Sequence, residues 1–328
     1  MKKITLIGGS GFVGTNLSNY LHSNEIPFEI IDLKISKQFP EYCKIGDVRA
    51  IETLRESITG DIIIDLAAVH RDDVADKDEY YNTNVIGAKN IATVCSEKNI
   101  SKIIFFSSVA VYGFAPNGTN ENGNISPFNE YGSTKYQAEQ MYRELYLDTN
   151  NSLIIIRSTV IFGDGNRGNV YNLFHQIATG RFIMIGSGKN KKSMAYILNV
   201  ISFINECIKD DKHYRIFNYV DTPDLDMNTL VECVKNTLKK KNNLSFRLPY
   251  YVGLFMALII DILSKCLRKR FPISRIRVKK FCSSSEFTSS KNELNNFIPP
   301  YSLIEGIERT ITNEFISLDA SKEIFYTE

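Results

Sequence analysis

The 328-residue chain lacks most features that would place it outside ordinary globular enzymes. Its six cysteines (Cys43, Cys95, Cys207, Cys233, Cys266 and Cys282) form no CxxC pair, and none of its four histidines stands at metal-ligand spacing from them. No metal site is therefore expected, and scattered thiols of this kind predict buried, reduced cysteines as in cytosolic proteins. The net charge is only +2, which gives no reason to expect a nucleic-acid partner and leaves electrostatics to local clusters. Low-complexity linkers and internal repeats are absent. The opening MKKITLIGGSG has an apolar run of four residues before glycines intervene, too short for a signal-peptide core, so no export is predicted.

What is present is an alternation. Short β-branched runs (ITLIGG, PFEIIDL, DIIIDLAA, KIIFFSS, SLIIIRS) are separated by helical stretches such as TNLSNYLHSN and STKYQAEQMYRELYLDT. This rhythm predicts an α/β fold, a doubly wound parallel sheet of the Rossmann type covered by helices on both faces. After Arg157 the rhythm weakens into glycine-rich turns (FGDGNRGN, GSGKNKK), one further strand (YRIFNYV) and helices. The expected division is a dinucleotide-binding domain over 1–158 and 193–218. A smaller, mainly helical substrate domain is expected over 159–192 and 219–328.

GGSGFVG follows the first strand and opens the first helix, with Gly8, Gly11 and Gly14 at three-residue spacing. Gly8 suits the tight turn, Gly11 the approach of backbone N–H groups to a pyrophosphate, and Gly14 close packing of helix on strand. Asp32 ends the second strand 18 residues after Gly14, where a carboxylate would bind an adenosine ribose and repel a 2′-phosphate. NAD is therefore favoured over NADP, with Lys34 close by as the countervailing charge. Asp47, in IGDVR, stands where an adenine edge is read in such folds, or is an ordinary turn aspartate.

YGSTK sets Tyr131 and Lys135 four residues apart on one helical face. A phenol is a poor base at its usual pKa near ~10, but a neighbouring ammonium and a nicotinamide cation both favour phenolate. SSVAVYG adds Ser107 and Ser108 at the C-terminal edge of the sheet, where ligands bind in this fold. Ser108, Tyr131 and Lys135 thus form a proton-handling trio beside a hydride acceptor.

GGSGFVG, SSVAVYG, YGSTK and the NTNVIGAKN segment around Asn84 resemble the extended short-chain dehydrogenase/reductase superfamily, in its nucleoside-diphosphosugar epimerase and dehydratase branch. HRDDV, SPFNEYG, RGNVYNL, KSMAYI and VKKFC further resemble the bacterial 4-epimerases of N-acetylglucosaminyl-diphospho-undecaprenol, which serve O-antigen and lipopolysaccharide biosynthesis. The resemblance implies NAD contacts from Gly8, Gly11, Phe12, Val13, Gly14, Asp32, Asp47, Val48, Leu66, Ala67, Ala68, Asn84, Ser107, Tyr131 and Lys135. It also implies catalysis by Tyr131 as base, Ser108 on the same sugar oxygen and Lys135 on the cofactor ribose. C4 would be oxidised to a 4-keto sugar and reduced again from the other face, with no net redox partner. A dehydratase usually carries an Asp-Glu pair directly after the serine; Val109 and Ala110 stand there instead, so dehydration lacks its acid and base. A soluble UDP-N-acetylglucosamine 4-epimerase, a net ketoreductase using the same trio and a non-catalytic NAD-binding scaffold are the alternatives; retention of the trio argues against the last.

For the substrate diphosphate the candidates are Arg167, Asn169 and Lys192, with Lys189 and Lys191 in the same basic turn. Lys192 in KSMAYI stands where the branch usually has an arginine. His70, Arg71, Asp72 and Asp73 either reach the cofactor or substrate, or form a solvated capping loop. His175 and His213 are assigned no chemistry.

The most apolar stretch, LPYYVGLFMALIIDILSKCLRKRF, has thirteen uncharged residues over 248–260 before Asp261, against the roughly 20 needed to span a bilayer. On a helical wheel Asp261, Ser264, Lys265 and Arg268 share one face, and Phe255, Leu258, Ile259, Ile262, Leu263 and Cys266 another. Eight basic residues (Lys265, Arg268, Lys269, Arg270, Arg275, Arg277, Lys279, Lys280) and no acidic one follow between 265 and 280. A helix over 249–267 therefore either packs on the main lobe beside a solvated basic run or lies in a membrane interface. A lipid-linked amino-sugar diphosphate favours the second, which predicts a peripheral protein at the cytoplasmic face of the inner membrane. In this superfamily the helices flanking Tyr131 often join a homodimer.

Overall fold

A computed structural model describes residues 2–71, 74–147, 150–240, 247–267, 274–317 and 322–327, with the backbone alone for 264–267. Asp72, Asp73, Arg268, Lys269 and Arg270 lie outside the described residues, as do the side chains of Ser264, Lys265 and Cys266.

Strands β1 (Ile4–Ile7), β2 (Phe28–Asp32), β3 (Cys43–Ile45), β4 (Ile62–Asp65), β5 (Lys102–Ser108) and β6 (Ser152–Ser158) come first. The chain then forms β7 (Val160–Phe162), β8 (Met184–Ile185) and β9 (Lys191–Tyr196) before β10 (Tyr214–Tyr219) rejoins the first sheet. That sheet has seven parallel strands in the order β10-β6-β5-β4-β1-β2-β3. Successive side chains of a strand point to opposite faces, and both faces here are buried. Leu6, Ile30, Ile64, Ile104 and Ile156 therefore enter one core, while Ile7, Ile31, Ile63, Ile103 and Ile155 enter the other. Each such side chain contributes about 1.5–3 kcal/mol by leaving water, so the unbroken apolar runs specify a sheet covered on both sides.

On the first face lie α1 (Phe12–Ser23) and, later in the chain, Ile197–Lys209. On the second lie α2 (Ile51–Ser57) and a continuous helical stretch, α3 (Asp78–Tyr80), a π-turn (Tyr81–Ile86) and α4 (Gly87–Glu97), followed by α5 (Glu130–Leu145). The order of strands reverses between β1 and β4, which opens a crevice at their C-terminal ends.

The remaining helices are α6 (Asn169–Ala178), α7 (Ile197–Lys209), α8 (Met227–Thr237), α9 (Tyr250–Leu267), α10 (Arg275–Cys282) and α11 (Leu303–Ile311). Strand β11 (Asp221–Asp226) joins β9 and β7 in a small sheet packed by α8 and α11, and β12 (Arg247–Leu248) pairs with β8. Residues 193–196, expected with the large sheet, belong to this small one; the chain returns to the large sheet with α7.

Helix α9 inverts the usual pattern. Gly253 and Ala257 are buried, Gly253 so closely that a Cβ would lie 2.7 Å from the Ile185 side chain. Tyr251, Phe255, Met256, Ile259, Ile262 and Leu263 are exposed. Asp261, expected on a polar outer face, is half-buried and accepts the Arg275 N–H at 3.1 Å, tying α9 to α10. Among the described residues, no helix is long and apolar enough to cross a membrane.

Candidate active site

The glycine loop lies over the β1/β4 crevice. Gly8 has φ +76°, and a Cβ there would stand 2.7 Å from the Ala67 backbone nitrogen, so the ends of β1 and β4 meet only because this residue is glycine. At Gly11 an added Cβ would meet only the Gly8 carbonyl, at 3.5 Å, which leaves the start of α1 open to a ligand. Gly14 differs from expectation: its Cβ would lie 2.4 Å from Gly9 Cα, so it lets the helix pack on the loop rather than on the strand. Asp32 is fixed beside the loop, accepting the Ser10 N–H at 3.0 Å and the Lys34 N–H at 3.2 Å.

Several residues expected at the cofactor are committed to protein partners. Asp47 is forked by the Arg49 guanidinium at 2.7 to 3.0 Å, and this pairing holds its carboxyl below the usual range. Val48 is a core residue whose carbonyl accepts the Asn90 amide at 2.9 Å. Asn84, on the π-turn, accepts the Val69 N–H at 2.8 Å and donates to the Val69 carbonyl and the Thr134 hydroxyl, each at 3.0 Å. Its amide holds the chain after Ala68 against α5. Ser107 donates to Glu139 at 2.5 Å. Leu66, Ala67 and Ala68 follow β4 along the crevice, where Ala67 N–H donates to Asp65 at 3.0 Å.

The trio gathers where β5 meets α5. Ser108 caps the 3-10 turn Val109–Tyr112 by accepting the Ala110 N–H at 3.1 Å, and its side chain hydrogen-bonds Tyr131. Accepting the Ala110 N–H leaves the serine its O–H and its second lone pair for the phenol. Burial pushes the Tyr131 phenol up from its ordinary value, and the Ser108 bond opposes that shift. Lys135 is buried with Nζ 4.3 Å from the centre of the Phe105 ring. Burial holds its ammonium down to about 8, opposed by the carboxylates of Asp65 and Glu139. In return the lysine charge opposes the burial that raises the Asp65 carboxyl.

Three supporting features went unrecognised in the sequence. Gly132 follows Tyr131, and a Cβ on it would stand 2.4 Å from the Ala110 carbonyl, so α5 touches the serine turn through a glycine. Asp65, at the buried end of β4, accepts the Tyr142 hydroxyl of α5 at 2.7 Å. Glu139 pairs with Arg157, which also donates to the Tyr112 hydroxyl at 2.8 Å. An arginine closing the otherwise apolar run SLIIIRS, and a glutamate eight residues after the tyrosine, are the signals that could have revealed the pair.

On the substrate side the expected cations are largely engaged. Arg167 meets the buried Glu314 at 2.7 Å and stacks on Tyr171, 3.9 Å from its ring centre. Lys192 donates to the Lys280 carbonyl at 2.6 Å, with its ammonium held down to about 8 by burial. Lys191 faces Glu286 at 3.6 Å. These contacts give Arg167 and Lys192 protein partners within the small lobe. Asn169 is exposed at the first position of α6. His70 and Arg71, with Ala68, Val69, Val74, Ala75 and Glu79, line a cavity of about 340 Å³ beside the end of β4.

The crevice fits NAD: the loop is open at Gly11 where a pyrophosphate would sit, Asp32 is fixed for a ribose, and Tyr131 and Lys135 stand at the same sheet edge. Residues 4–219 match the family described as NAD dependent epimerase/dehydratase. The chain is 44% identical, over 99% of both chains, to the N-acetyl-alpha-D-glucosaminyl-diphospho-ditrans,octacis-undecaprenol 4-epimerase of Escherichia coli O157:H7. It is 26% identical, over 94% of both, to a UDP-glucose 4-epimerase of Vibrio cholerae. Its fold is similar to the crystal structure of UDP-N-acetylglucosamine 4-epimerase from Bacillus cereus, with a TM-score of 0.74 at 19% identity, covering 95% of this chain and 98% of that one.

Proposed function

Because the chain belongs to the NAD dependent epimerase/dehydratase family, we propose that it interconverts N-acetylglucosaminyl- and N-acetylgalactosaminyl-diphospho-undecaprenol by inversion at C4. The observation that carries this reading is the 44% identity to the lipid-linked epimerase along the full chain, against 26% to the nucleotide-sugar enzyme. NAD, when bound, supplies a reversible hydride acceptor. Tyr131 takes the proton of the sugar 4-hydroxyl and later returns it. Ser108, which hydrogen-bonds Tyr131, turns its O–H to the same sugar oxygen and steadies charge as it develops there. Lys135 supplies the buried positive charge beside the cofactor ribose.

The lipid-linked substrate also accounts for α9. A helix that turns glycine and alanine inward and large apolar side chains outward, beside a basic α10, suits the interface of an anionic membrane. The protein is accordingly proposed to be peripheral, at the cytoplasmic face of the membrane that carries the polyprenyl diphosphate. The deciding experiment incubates purified protein separately with N-acetylglucosaminyl-diphospho-undecaprenol and with UDP-N-acetylglucosamine, then identifies the sugar released by hydrolysis. Epimerisation of the lipid-linked sugar is expected. Conversion of the nucleotide sugar alone would refute the proposal in favour of a soluble 4-epimerase.

A further inference from the structure

Residues 322–327 pair with the 163–167 loop and reach Phe12 and His70 at the ends of the β1/β4 crevice, far in sequence from both. Phe325 N–H donates to the Gly165 carbonyl at 2.9 Å, and its own carbonyl accepts the Arg167 N–H at 2.8 Å. Thr327 Oγ1 donates to Asn166 Oδ1 at 2.6 Å. The receiving loop is shaped to this segment: a Cβ on Gly165 would stand 2.6 Å from the Glu323 carbonyl, and one on Gly168 2.7 Å from Thr327 Oγ1. Lys322 anchors the near end on Glu314 at 2.8 Å.

From this seat the segment reaches both lips of the crevice. The Phe325 ring packs on Phe12, the residue after Gly11, with centroids 5.8 Å apart. The His70 ring, just beyond Ala68 at the end of β4, hydrogen-bonds the backbone of Thr327. One short segment thus joins the start of α1, the chain leaving β4 and the 163–167 loop of the other lobe. These are the two strand ends between which a dinucleotide lies in a doubly wound sheet.

We propose that residues 322–327 form a clasp that holds NAD in its crevice between turnovers, with Phe325 as its main contact. A reaction that removes a hydride and returns it to the same carbon needs its cofactor retained while the sugar is oxidised. Escape of the reduced cofactor at that point would strand a keto sugar. Backbone pairing to 163–167 seats the segment without a rigid side-chain plug, and the Phe12–Phe325 contact braces the residue that follows Gly11, where the pyrophosphate would sit.

The inference rests on NAD as the resident cofactor, and the test separates the two. NAD is released from purified protein by denaturation and quantified, and exchange of bound NAD is followed against an excess of isotopically labelled NAD. Phe325→Ala is expected to exchange about tenfold faster than the wild type, from loss of a half-buried aromatic contact, and Phe325→Leu to stay close to it. Gly165→Ala, which unseats the segment through the Glu323 carbonyl without touching Phe12, is expected to match Phe325→Ala. It also serves as the readout if Phe325→Ala does not fold. Exchange as slow as the wild type in a folded Phe325→Ala or Gly165→Ala protein would overturn the clasp alone. Wild-type protein that binds no NAD would overturn both the clasp and the cofactor assignment.

Discussion

Glu139 of α5 and Arg157 of β6 form an ion pair of 2.6 Å with side chains only 1% and 4% exposed, directly behind the strand end that bears Ser107 and Ser108. Isolated, either charge would be costly to bury; together, with Ser107 donating to one and the Tyr112 hydroxyl accepting from the other, their polar atoms are satisfied. The pair fixes the helix carrying Tyr131 and Lys135 against the strand carrying the serines. Removing one partner should therefore hurt more than removing both. Arg157→Met is expected to lose about 3–5 kcal/mol in urea denaturation, and Arg157→Met/Glu139→Leu distinctly less. A double variant as unstable as the sum of the single ones would show that the pair is not coupled.

At Gly132 two effects oppose one another. Alanine inside a helix is worth about 1 kcal/mol over glycine, so Gly132→Ala should stabilise an isolated α5. Here the new Cβ would stand 2.4 Å from the Ala110 carbonyl, a backbone atom that moves only with the serine turn. The steric effect wins, and Tyr131 and Ser108 are pushed apart. Displacements of this order at a reacting centre cost about 100-fold, so kcat should fall by about that factor with little change in KM. Tyr131→Phe, which removes the proposed base, is the reference for complete loss. Wild-type turnover in Gly132→Ala would mean that the contact between helix and turn does not set the geometry.

The sheet was legible because its physics is local: period-two burial on both faces forces unbroken apolar runs, and ITLI, FEIID, IIID, KIIFFSS and SLIIIRS all became strands. The trio was legible because a helix places residues four apart on one face. What the sequence concealed depends on approach between distant segments. Gly132 against Ala110, Asn84 against Val69, and Phe325 against Phe12 each join residues whose separation carries no periodic signal. The partners of Arg167 and Lys192 were hidden for a related reason, since nothing in a glycine-rich turn announces a buried glutamate or a carbonyl that faces it from elsewhere in the chain.

Lys135 makes activity and stability respond to pH in opposite directions. Burial lowers its folded-state pKa to about 8, below the roughly 10.4 of an exposed lysine. Between these values the unfolded chain binds the extra proton, so this group's contribution to stability rises as pH climbs from about 8 and is smallest below it. Turnover needs the ammonium and should fall as pH rises through about 8. Asp65 opposes the depression, so Asp65→Asn should move that alkaline limb to lower pH, which a kcat/KM profile reads directly. A limb that stays in place in Asp65→Asn would remove this carboxylate from the control of Lys135.

The outward face of α9 makes the strongest claim about where the protein works. Tyr251 is 81% exposed and Phe255 62%, while Gly253 and Ala257 face the protein, an arrangement that water disfavours and a lipid interface stabilises. Exposed Arg275, Arg277 and Lys279 on α10 stand beside it, and each adds about 1 kcal/mol near an anionic surface. The two contributions separate experimentally. In flotation with phosphatidylglycerol vesicles the wild type should bind. Reversing the three basic residues to glutamate should weaken that binding by more than tenfold, with a smaller effect on any binding to neutral phosphatidylcholine vesicles. Tyr251→Ser/Phe255→Ser should weaken binding to both, because the apolar contribution does not depend on lipid charge. If neither set of substitutions changes the fraction that floats, the α9–α10 surface is not the membrane contact, and the apolar face must be covered by something else.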